Sequence, residues 1–155
     1  MRSSVRAILT GGLIAGTLDL LAAFISSWLR AGVGPVRVMQ SIASGLLGAA
    51  SFSGGASSAA LGVAAHFLIA TVATAVFYFA SRTLRSLVEH PIVAGLLYGV
   101  AVYLFMNFVV LPLSAVPVGR GSPPLSSRII GVLIIMFCVG LPIAAIVRRF
   151  DARAV

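Results

Sequence analysis

The sequence predicts an all-α integral membrane protein, a four-helix bundle with a short interfacial or re-entrant helix between its first two spans. Three observations predict it. Sixty per cent of the 155 residues are hydrophobic and nine per cent charged, with a mean hydropathy of +1.14, a balance foreign to soluble domains. Four apolar stretches lie near 8–29, 59–80, 92–113 and 129–147, each about the twenty residues that cross hydrocarbon as a helix. Backbone polar groups in lipid must be satisfied within the segment, which selects helix for such stretches. Little sequence remains outside them, so residues 1–155 read as a single transmembrane domain.

Span one follows Arg2 and Arg6, an arrangement that resembles a secretory signal. Its apolar run is too long for a signal core, contains Asp19 and precedes no cleavage site, so it reads as a retained span. It ends at Trp28–Arg30, an interfacial aromatic followed by a charge, and Gly32-Val33-Gly34-Pro35 breaks the helix. Residues 35–50 regain helical character but are too short and mixed to cross. A segment opening on Pro35 and carrying Arg37 and Gln40 fits an interfacial helix, with a re-entrant half-helix as the alternative. Span two leads through Arg85, Glu89, His90 and Pro91 into span three, which is expected to end at Leu111-Pro112-Leu113. A Pro/Gly/Ser loop through Gly119, Gly121, Pro123 and Pro124 follows. Span four contains Pro142, expected to bend it and free a carbonyl.

All eleven basic residues are arginine, against three acids, for a net charge of +8. They sit at span ends and form no tract, the pattern of anchors beside lipid headgroups, so nucleic acid is not an expected partner. Arg2, Arg6, Arg82, Arg85, Arg148, Arg149 and Arg153 fall on one side; Arg30, Arg37, Arg120 and Arg128 fall on the other. Seven against four predicts both termini in the cytoplasm.

Each span carries small residues at helical spacing together with a polar or soft residue: Gly12, Gly16, Asp19 and Ala23; Gly62, His66 and Ala70; Gly95, Gly99, Tyr103 and Asn107; Gly131, Cys138 and Pro142. Residues three or four apart share a helix face, and small residues let helices approach closely in lipid. Gly12, Gly16, Gly62, Gly95, Gly99 and Gly131 are therefore expected at helix contacts. With ~1.5 Å of rise per residue, Asp19 lies roughly 16 Å from the cytoplasmic edge, Cys138 about 14 Å, and His66 and Asn107 roughly 21–23 Å. Asp19, His66, Asn107, Cys138 and Gln40 make up the expected polar core.

Asp19 is the sharpest of these, since a carboxylate at mid-span costs on the order of 2.5–3.5 kcal/mol even on the lenient insertion scale. It needs an inward-facing partner, and His66 is the natural one. The pair reads either as a contact for a proton, an ion or a small polar solute, or as interhelical glue, with His66 bonded to Asn107. No second histidine lies in a span, so no cofactor or metal site is expected, and Met106 and Met136 read as packing. One cysteine excludes an internal disulfide and any CxxC motif. No GxSxG, Walker loop, HExxH or dinucleotide fingerprint is present, and no enzymatic activity is expected. Ser57-Ser58…Gly62-Val63 echoes Ser126-Ser127…Gly131-Val132, and Ile14-Ala15-Gly16 echoes Val93-Ala94-Gly95, as two tandem hairpins would.

The segment Arg37–Gly48, the pair Gly54-Gly55, Gly62…His66–Ala70, and Leu97-Tyr98-Gly99 through Met106-Asn107 to Ser114 carry a resemblance. Over residues 10–115 the chain resembles a family of small uncharacterised bacterial four-span inner-membrane proteins, and is loosely similar to YagU-like membrane proteins. The resemblance implies a four-helix membrane protein and no particular activity. Two functions are expected from the residues: a small channel or transport-type protein with an Asp/His/Asn core, or a structural or accessory membrane subunit. The lipid bilayer and a second copy of the chain are the expected partners.

Overall fold

The computed structural model describes residues 2–117 and 124–151. Gly119, Arg120, Gly121, Pro123 and Arg153, expected in a loop and a tail, lie outside the described residues. The elements are α1 (Arg2–Ala31), α2 (Pro35–Leu47), α3 (Gly55–Thr83), α4 (Ser86–Glu89), α5 (Pro91–Leu113) and α6 (Leu125–Phe150), with a 3₁₀ segment at Gly48–Ser53. Four helices, α1, α3, α5 and α6, are long and apolar enough to cross a membrane. The chain is an all-α, multi-pass membrane protein. The helices run up to six residues past the expected span ends, α5 alone stopping at its expected end, Leu113, because polar residues at helix termini continue the helix outside the apolar stretch.

The breaks fall where backbone chemistry demands them. Gly32 and Gly55 adopt φ +63° and +58°, a region that costs other residues steric strain. Pro35 and Pro91 occupy first-turn positions of α2 and α5, where the missing N–H is no loss.

α1 packs against α3 and α6, α5 packs along α6, and α2 lies across the first third of α3. At the end bearing the described termini, Phe77 and Tyr78 of α3 meet Ala94 of α5, Val139, Ile143, Ala144 and Val147 of α6, and Ala7 of α1. Tyr78 Oη donates to Ser4 Oγ at 2.8 Å, and Arg82 reaches the buried Asp151 at 3.9 Å. Burial brings little hydrophobic gain among lipid tails, so close packing and hydrogen bonds hold this end. α3 and α5 touch where Tyr98 Oη donates to Ala73 O at 2.6 Å and the Phe77 and Tyr98 rings meet edge-on at 4.9 Å. Beyond that contact they part. The gap holds one apolar cavity of about 590 Å³ and a second of about 640 Å³ roofed by α2.

The two prolines within spans do not end their helices at the proline. Each follows a π-turn, Met106–Val110 in α5 and Met136–Gly140 in α6. Leu111 N–H bonds Met106 O, and Leu141 N–H bonds Met136 O, five residues back in each case. A proline lacks an N–H and its ring clashes with the carbonyl four residues earlier. One wider turn before it relieves that clash. α5 therefore continues through Pro112 to Leu113.

The glycines of the first sequence echo meet different neighbours. Gly62 faces the backbone of α2, whereas Gly131 faces the Tyr103 ring of α5.

Candidate functional site

The six expected packing glycines all sit against a neighbouring helix. A Cβ at Gly12 would meet Thr71 Cα at 2.7 Å, and one at Gly16 would meet Phe67 Cδ1 at 2.9 Å. A Cβ at Gly95 would meet Gly140 O at 2.9 Å, and one at Gly99 would meet Met136 Cα at 2.5 Å. Gly62 lies against Met39 and Ala43, so its partner is α2 rather than another span. Two further glycines escaped the sequence reading: Gly11 against Thr74, and Gly140 against Gly95 and Gly99.

Gly16 has a second consequence. The close approach of α3 lets His66 Nε2 reach Gly16 O at 2.8 Å. A carbonyl oxygen only accepts, so Nε2 carries the proton and donates. The Phe67 ring stands edge-on to the imidazole, 5.5 Å between centroids. The ring is thereby fixed with Nδ1 as its remaining functional atom.

Asp19 lies three residues beyond Gly16, on the same helix face. Its half-buried carboxyl is within electrostatic reach of His66, and Cys138 of the α6 π-turn is within reach of Asp19. Three helices thus contribute Asp19, His66 and Cys138 to one neighbourhood in mid-bundle. The expected direct Asp19–His66 bond is absent among the described residues. The imidazole N–H is committed to the Gly16 carbonyl instead, one turn below the carboxyl. Neither the Asp19 carboxyl nor His66 Nδ1 has a hydrogen-bond partner among the described residues.

The other two expected members of the polar core lie elsewhere. Asn107 Nδ2 donates to Tyr103 O at 2.8 Å, one turn back on its own helix, so it does not bond His66. Gln40 is buried at the α2–α3 junction, where Nε2 donates to Gly55 O at 3.2 Å. It ties the short helix down and takes no part in the mid-bundle neighbourhood. Among the described residues, no three His, Cys, Asp or Glu side chains converge as a metal site.

One signal for the site was present in the sequence and overlooked. Met-x-x-Val-x-Leu-Pro occurs twice, at 106–112 and 136–142, and marks both π-turns. Asn107 and Cys138 fall inside these turns, a local form often found at functional sites. Comparison of the chain with protein-family models, curated proteins and solved structures found no match.

Proposed function

We propose that the chain is a small transport-type protein of a bacterial inner membrane, with both termini cytoplasmic, and that Asp19 and His66 form its proton- or solute-binding site. One observation carries the reading. His66 spends its only N–H on Gly16 O, leaving Nδ1 and the Asp19 carboxyl within electrostatic reach of each other and unbonded. Side chains whose sole task is to join helices are bonded to one another, because an unsatisfied polar group in lipid costs free energy with no return. A carboxyl and an imidazole nitrogen left open at mid-depth instead suit a transient third party, a proton or a small polar solute held between them.

Flux in proteoliposomes tests this. Asp19→Asn and His66→Gln are each expected to lower proton or solute flux by about tenfold or more, the scale of one charge-assisted hydrogen bond at ~1.5–3 kcal/mol. Equal flux in wild type and both variants would dismiss transport and leave the alternative, a structural or accessory subunit. Neither residue lines the three described cavities, which is the observation that favours that alternative.

A further inference from the structure

At the end opposite the described termini, the last two turns of α1 and the first half of α2 enclose a notch of about 330 Å³. Ser26, Ser27 and Arg30 line it from α1, and Arg37 and Ser41 from α2. The whole chain contains three acidic residues, Asp19, Glu89 and Asp151. Glu89 pairs with Arg85 at 3.1 Å and Asp151 with Arg82 at 3.9 Å, both at the opposite end, while Asp19 lies in mid-span. None of the three acidic side chains therefore neutralises Arg30 or Arg37.

Both guanidinium groups are nevertheless positioned. Arg30 Nη2 donates to Ser127 Oγ of α6. Arg37 lies over the Phe52 ring, 4.1 Å from its centroid, and donates from Nη1 to Phe52 O at 3.4 Å. A guanidinium carries five N–H donors in a rigid fork. Each of these spends one on the protein, leaving most of its donors for a ligand. Two like charges drawn to one notch repel unless an anion joins them, and the planar fork matches a phosphate or carboxylate. Ser26 and Ser41 spend their hydroxyl protons on Ala23 O and Val38 O, so Ser27 Oγ supplies the further hydroxyl donor beside the same space.

We propose that the α1–α2 notch is a binding site for a phosphate-type anion, held by Arg30 and Arg37 with Ser26, Ser27 and Ser41 around it. The ligand is either a free anion or the headgroup of an anionic lipid, since both present the same oxygens. The site is independent of Asp19 and His66, so it stands or falls separately from the transport reading.

Trp28 is the only tryptophan and lies in the same stretch of α1, so its emission reports locally. In the first arm, detergent-solubilised protein is titrated with inorganic phosphate. In the second, the protein is placed in vesicles of brominated phosphatidylglycerol or brominated phosphatidylcholine, and Trp28 quenching is compared. Saturable phosphate binding identifies a free anion, and preferential quenching by phosphatidylglycerol alone identifies a headgroup. In either arm Arg30→Gln and Arg37→Gln, separately and together, are expected to weaken the response at least tenfold, while Arg85→Gln leaves it unchanged. Circular dichroism confirms that each variant remains helical, and a single variant serves where the double one does not fold. No saturable response in either arm, or one unaltered by the Arg30 and Arg37 substitutions, overturns the proposal.

Discussion

A single hydrogen atom in place of a side chain decides how near two of these helices lie. At Gly99 an added Cβ would sit 2.5 Å from Met136 Cα, which is backbone and cannot rotate away. Gly99→Ala is expected to destabilise the bundle by about 1–3 kcal/mol, the usual range for overpacking. At Gly45, within α2, the same Cβ would meet Ser114 Cβ at 3.8 Å, an ordinary contact. Gly45→Ala should gain about 0.5–1 kcal/mol, the helical advantage of alanine over glycine. Equilibrium unfolding in mixed micelles checks both, and equal shifts would remove the distinction drawn between the two glycines. Small-residue spacing made Gly99 readable in advance. It could not tell that Gly62 meets α2 instead of a span, because spacing defines a face and not what covers it. The same gap explains Asp19 and His66. Depth placed them near each other, but only the backbone approach at Gly16 reveals that the imidazole N–H is taken by a carbonyl.

Among the elements, α6 shows how a proline is accommodated rather than endured. Pro142 follows a turn already widened by one residue, so the clash with the preceding turn is relieved before it arises. Releasing a proline from an ordinary helix interior gains about 3 kcal/mol. Here Pro142→Ala is expected to change stability by less than about 1 kcal/mol, because the π-turn is also held by the seating of Gly140 on Gly95 and by the buried Ile143 and Val147. A gain near the full value, measured by the same unfolding assay, would mean that the wide turn is only strain around the proline. The sequence announced a disturbance at Pro142 and a span end at Leu111-Pro112-Leu113, and α5 ends at Leu113. It did not announce the wide turns, since proline alone does not distinguish a kinked helix from one with a widened turn. The twice-occurring Met-x-x-Val-x-Leu-Pro would have linked the two sites.

For the molecule as a whole, four crossings put the first and last described residues on one face of the membrane and α2 on the other. Against a cysteine-free background carrying Cys138→Ser, Arg85→Cys and Arg149→Cys should react with an impermeant maleimide only from the cytoplasmic side, and Val36→Cys only from the opposite side. Reaction of all three from one side would contradict four crossings, and the mirror-image pattern would invert the orientation drawn from arginine counts. The number of spans was plain from hydropathy, because twenty apolar residues admit one conformation in lipid. The arrangement of the spans was not, since near-uniform apolar surfaces carry no code for which pair separates. That separation has a mechanical consequence. Stretching or thinning of the bilayer will not load the four helices equally: α3 and α5 can swing apart or together about Tyr98 as covers do about a spine, while α1 and α6 stay clasped.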